Sequence, residues 1–182
     1  MPVTLKDGHG TGNLAMVDSE GHLAVGAIQK SALQHQSETY ENVYAFSNAT
    51  YNYTAADTIL LVKNTHASKA MTIAKIWVSG DTLTEVIVHM PAAEVTPTGT
   101  AVTGVNLTNP TGRAAPATAI GDETNNTRGT FLWSQRIPAN TPYCVDAMSG
   151  IQVGPGKSIG VDFVAVGAAA NVTIWAYWKD LS

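Results

Sequence analysis

Ser158-Ile-Gly-Val-Asp-Phe-Val-Ala-Val166 alternates apolar residues with small or polar ones at a period of two. Ile159, Val161, Phe163 and Ala165 share one face, with Ser158, Gly160 and Asp162 opposite, because successive side chains of a strand point to opposite sides. Thr84–Met90 repeats the pattern, with Val86, Val88 and Met90 on one face and Glu85 and His89 on the outward one. A helix would need apolar spacings of three and four instead.

Working outward, the same reading predicts strands at Val43–Phe46, Thr58–Lys63, Met71–Ser79, Thr130–Gln135, Tyr143–Met148 and Val172–Trp178. Turn chemistry separates them: Asn64-Thr-His-Ala-Ser68, Gly80-Asp81, Pro138-Ala-Asn-Thr-Pro142 and Gly154-Pro-Gly156. Eight short strands at such spacing predict an all-β sandwich, jelly-roll-like, with its strand order open. Ile59-Leu-Leu-Val62 and Ile174-Trp-Ala-Tyr-Trp178 are apolar on both faces. Such strands are covered on both sides, by a second sheet and by something else, for which a neighbouring subunit is the economical candidate.

Three segments break the rhythm. Residues 91–128 are rich in Thr, Ala, Gly, Pro and Asn, and read as a long insertion able to project and meet partners, with one extra strand at Val102–Leu107. Residues 28–42 are polar and read as a linker or a short helix supported by Ile28, Ala32 and Leu33. Residues 1–27 read as an extended N-terminal arm, in which Leu14–Val17, the turn Asp18-Ser-Glu-Gly21 and His22–Val25 form a hairpin. The sandwich then spans residues 43–182.

Composition narrows the function classes. Only 13% of the 182 residues are charged, about half the usual share, so a surface of small neutral groups is cheap to desolvate against other copies. The net charge of −4 speaks against a nucleic-acid partner. No apolar run is long enough for a membrane span, and Met1-Pro-Val-Thr-Leu-Lys-Asp-Gly8 lacks a signal-peptide core, so synthesis in a cytoplasm is expected. The single cysteine, Cys144, excludes an internal disulfide and reads as a small strand residue rather than a nucleophile.

Chemistry-bearing motifs are hard to find. Gly8-His-Gly-Thr-Gly12 lacks the preceding strand and following helix of a phosphate-binding fingerprint. His9, His22, His35, His66 and His89 form no metal-ligand spacing, and His9 with Asp7 or His22 with Asp18 read as turn residues before ligands. Asp146 and Asp162 fall on neighbouring predicted strands and could approach, but nothing marks a cleft. His89 is expected in a cross-strand polar pair beside Glu85. No catalytic, cofactor-binding or metal residue is therefore assigned, and a non-enzymatic role without cofactor is expected. Trp77, Trp133, Trp175, Trp178, Tyr143 and Tyr177 fall on strands, where packing outweighs sugar stacking. Trp175 and Trp178 point to opposite faces, so at least one lies outside the core and both are candidate interface aromatics.

Lys6-Asp-Gly-His-Gly-Thr-Gly-Asn-Leu-Ala-Met-Val-Asp-Ser-Glu-Gly-His-Leu-Ala-Val25 resembles a pattern that opens many tailed-bacteriophage virion proteins. Leu60-Leu-Val-Lys-Asn64 followed by Met71-Thr-Ile-Ala-Lys-Ile-Trp-Val78 looks like the first strand pair of their sandwich. The likeness covers the arm and the first half of the body, and residues 91–128 have no counterpart in it. It implies a virion structural protein with an anchoring arm, of the head decoration or cement type, which is often a homotrimer. Its partners would be copies of itself and the major capsid protein or other virion proteins, with Leu14, Met16, Val17, Leu23 and Val25 as the arm's contacts. A tail, baseplate or fibre-associated protein is the alternative station, and a carbohydrate-binding sandwich module the alternative class.

Overall fold

The computed structural model describes residues 5–6, 14–17, 23–24, 33, 36–37, 42–48, 51–53, 58–92, 98–109, 112–123 and 126–180. The chain divides into two compact units, residues 1–31 and residues 32–182.

The first unit carries three short antiparallel strands in the order β1 (Leu5–Lys6), β2 (Leu14–Val17) and β3 (Leu23–Ala24). Met16 pairs with Ala24 and Val17 with Leu23, so the two strands of the expected hairpin pair antiparallel, while its turn lies outside the described residues. Leu14, Met16, Val17 and Leu23 therefore lie on paired strands, whereas Val25, His9 and His22 fall outside the described residues.

The second unit is a sandwich of two six-stranded antiparallel sheets. Its strands are β4 (Val43–Ser47), β5 (Tyr51–Tyr53), β6 (Thr58–Asn64), β7 (Lys69–Gly80), β8 (Thr84–Pro91), β9 (Thr100–Val102), β10 (Gly104–Asn106), β11 (Ala117–Glu123), β12 (Arg128–Ile137), β13 (Tyr143–Val153), β14 (Ser158–Phe163) and β15 (Gly167–Asp180). One sheet runs β10-β4-β15-β7-β13, with β5 also on β15, and the other runs β12-β8-β14-β6-β11-β9. All eight predicted strands are present. Removing β5 and the insertion strands leaves β4-β15-β7-β13 over β6-β14-β8-β12, with every chain connection except β8 to β12 crossing between sheets. That wiring is the double Greek key of a jelly roll.

The core sits between the sheets. Ile59, Leu60, Val62, Ile73, Ile76, Val86, Val88, Ile159, Val161, Phe163, Val172, Ile174 and Trp178 pack there with Tyr44 and Phe46. Tyr44 and Phe46 meet the Trp178 ring edge-on, at centroid distances of 5.4 and 6.5 Å. The Trp178 indole donates to Asn64 Oδ1 at 2.9 Å, and Asn64 Nδ2 donates to the carbonyls of Lys69 and Val153. One buried amide thus joins the ends of β6, β7, β13 and β15, leaving no part of that polar group unsatisfied.

The structure corrects three expectations about coverage. Residues 91–128 do not simply project: β10 adds to β4, while β11 adds to β6 and β9 to β11. The single strand expected at Val102–Leu107 is two, divided at Thr103 between opposite sheets. The buried Glu123 carboxylate accepts the backbone N–H groups of Thr98 and Gly99 and the Thr98 hydroxyl, fastening the insertion to the sheet edge. The second apolar face of β15 is also covered partly from within, since Tyr177 packs with Val43, Ala74, Trp175 and Leu33. Leu33, Gln36 and Ser37 are the helical residues described in the 28–42 stretch, and Ser37 bonds to Thr108 at 2.7 Å.

Candidate assembly edge and buried ionic cluster

The two long edges of the sandwich differ. On one, the insertion supplies β10, β11 and β9 as extra strands, so β4 and β6 keep no open flank. On the other, β12 and β13 end their sheets, joined by the turn 138–142, in which Asn140 adopts a left-handed φ of 55°. The turn is tied down by the Asn140 N–H, which donates to the Gly80 carbonyl at 2.7 Å.

Edge strands need protection because their unpaired backbone groups invite another chain. Here β12 pairs with β8 through two register shifts, between Arg128 and Thr130 and between Phe131 and Trp133. The second shift puts consecutive side chains outward: Phe131 is 62% exposed and Leu132 37%. A bulge re-aims side chains in this way. Trp133 turns inward and stacks on Tyr143 of β13, at a centroid distance of 5.8 Å and 25° between planes. This pair closes the edge between the sheets, and Tyr143 remains 38% exposed. Trp77, next to β13 across the Cys144 pairing, is 41% exposed on the outer face. The sequence placed these aromatics on strands but not at an edge.

Trp175 and Trp178 do lie on opposite faces, but Trp178 is almost wholly buried in the chain's own core and is no interface residue. Trp175 is half-buried beside Tyr177 on the outer face. Cys144 is half-buried, with its thiol pKa pushed up by burial and by Asp146 against an opposing pull from Lys75.

The other sheet carries a polar cluster beneath its surface. His89 is not solvated beside Glu85: it is fully buried, and its Nε2 meets Asp162 Oδ1 at 3.1 Å across the β8–β14 pairing. A cross-strand polar pair is present, with a partner other than Glu85. Arg128 Nε donates to Asp162 Oδ2, and Asn126 Nδ2 donates to the Thr58 hydroxyl at 2.8 Å. Gly160 is required beneath the ring, since a Cβ there would lie 2.8 Å from His89 Nε2 and 3.2 Å from Thr58 Cγ2. Burial raises the Asp162 pKa, but hydrogen bonding and charge from His89, with hydrogen bonds from Arg128 and Thr58, outweigh it and hold the carboxyl below its ordinary value. His89 Nδ1 has no hydrogen-bond partner among the described residues.

Asp146 and Asp162 do not approach as a carboxylate pair: β13 and β14 belong to opposite sheets. Among the described residues no group of three or more His, Cys, Asp or Glu is placed to hold a metal ion. Comparison of the chain with protein families, with curated proteins and with solved structures finds no match.

Proposed function

We propose that the chain is a structural subunit of a bacteriophage particle, a head decoration (cement) protein that assembles as a homo-oligomer, most simply a trimer. The observation that carries this reading is the asymmetry of the sandwich: its own insertion caps one edge, while the other presents Phe131, Leu132 and Tyr143 to solvent. A second copy, presenting the same side chains, is the occupant that would cover them. A specific interface covers about 800 Å² per partner and some 20–30 residues, more than these side chains supply. Residues 1–27 would add the rest by reaching a neighbouring capsid protein, and tethering raises the effective concentration at that second contact. The resemblance of Lys6–Val25 to the opening of tailed-phage virion proteins supports the same assignment.

The test uses Phe131→Lys/Leu132→Lys and a deletion of residues 1–27, measured by light scattering and by binding to particles lacking the protein. The edge variant is expected to be a folded monomer, and the deletion a folded body that no longer binds. A wild-type monomer at tens of micromolar, or full decoration by the deleted chain, would overturn the reading. Copy number separates stations on the particle: hundreds mean the head, and tens or fewer mean the tail, baseplate or fibre.

A further inference from the structure

Where β6 turns into β7, the end of the sandwich holds a recess lined by no residue of β12 or β13 among the described residues. It encloses about 150 Å³ and is lined by Asn42, Tyr44, His66, Lys69, Arg113 and Pro116. In a chain with only 10 Lys and Arg residues among 182, two of them and a histidine line this recess, with no carboxylate lining it among the described residues.

The turn fixes what His66 can offer. Its Nδ1 accepts the backbone N–H groups of Ser68 and Lys69, each at 3.1 Å. An accepting Nδ1 places the ring hydrogen on Nε2, so the group left for a ligand is a donor. The turn itself is held by the His66 N–H, which donates to the buried Asn64 Oδ1 at 3.0 Å. Asn42, whose Nδ2 donates to the Trp178 carbonyl at 2.5 Å, anchors the opposite wall. Arg113 comes from the insertion and has no counter-charge among the described residues. Lys69 has one, Asp180 at 3.6 Å, but that carboxylate is 85% exposed and its pairing is screened by water. Pockets for whole small molecules run to about 300–1,000 Å³, so this recess accommodates a single group.

We propose that this recess binds one oxyanion, a carboxylate or phosphate group, held by the Arg113 guanidinium, the Lys69 ammonium and His66 Nε2–H. The planar guanidinium fork suits two-point contact with such a group, and charged donors make the strong hydrogen bonds. The site stands independently of the assembly edge.

Titration of the full chain with inorganic phosphate, followed by ¹⁵N NMR, tests it. The Arg113 Nε–H, the Asn42 side-chain amide and the His66 ring are expected to shift along one saturable curve. Arg113→Gln and Lys69→Gln should each weaken binding about tenfold, the loss expected for one charge-assisted hydrogen bond. Arg136→Gln, on β12, should leave binding unchanged. Both target side chains reach solvent, and each variant's own spectrum reports that its fold is intact. Parallel titrations with acetate and with a Glu-rich peptide identify the source: tighter peptide binding assigns the group to a partner's acidic side chain, and tighter phosphate binding assigns it to a free ligand. Absence of a saturable shift, or an equal loss in Arg136→Gln, would overturn the proposal.

Discussion

Replacing Asp162 with alanine probes an ionic cluster set inside an otherwise apolar sandwich. The Asp162 side chain is 3% exposed and accepts from His89 and Arg128. In Asp162→Ala, Arg128 can turn its side chain, 32% exposed, toward water, so its share of the loss is small. His89 cannot follow, because it is wholly buried and Gly160 leaves its ring no room to sink. An orphaned buried polar group costs about 1–3 kcal/mol, and removing one member of a buried ion pair about 3–5 kcal/mol. We expect a loss of about 3 kcal/mol, near the overlap of those ranges, or about 6–12 °C in melting temperature for a protein of this length. Asp162→Asn keeps the size and one acceptor oxygen but drops the charge, and should lose about 1–2 kcal/mol. Urea unfolding at fixed protein concentration, followed by tryptophan fluorescence, to which the buried Trp178 contributes, measures both. The midpoint should fall with the slope unchanged. Equal losses in the two variants, or a loss under about 1 kcal/mol in Asp162→Ala, would refute the reasoning.

Acid should expose the same cluster. The folded-state pKa of Asp162 lies below the ordinary carboxylate value, so its stabilisation is complete above the unfolded pKa and is lost as pH falls through the folded one. Wild type should therefore lose stability more steeply below pH 4 than Asp162→Asn does, as read by thermal melts across pH 2–6. Gly160→Ala should cost about 1–3 kcal/mol by driving a methyl into the His89 ring, and a double-mutant cycle with His89→Ala should recover part of it. Purely additive losses in that cycle would contradict the contact. Trp178→Ala should cost about 3–5 kcal/mol in denaturant unfolding, several times the loss for Trp175→Ala, because only the first opens the core. Similar losses would reverse their inner and outer placement.

The strands themselves were legible because burial of one face imposes a period of two, and Ser158–Phe163 and Thr84–Pro91 carry that period in plain form. The turns were legible too, since Gly156 sits at φ 74° and Asn140 at 55°, conformations that their residue types accept. His89 and Asp162 were misjudged for a physical reason. Their alternation with valines correctly marks them as facing away from the core, but facing away from the core is not the same as facing water. The β8–β14 pairing sets the two against each other and Arg128 joins them on Asp162, and these three residues are far apart in the chain. The insertion was misjudged likewise: its Thr, Ala and Gly composition looks like loop, yet Ala117–Glu123 becomes a strand because β6 offers it an open edge.

Local periodicity and turn chemistry alone determined that eight segments of this chain would be strands of a sandwich, since those signals act between neighbours in sequence. Only the tertiary structure decided which edge the insertion closes, which tryptophan enters the core, and where Phe131, Arg113 and His66 come to lie. Those outcomes depend on pairings between residues far apart in the chain, such as Trp178 with Asn64, and no local pattern encodes them.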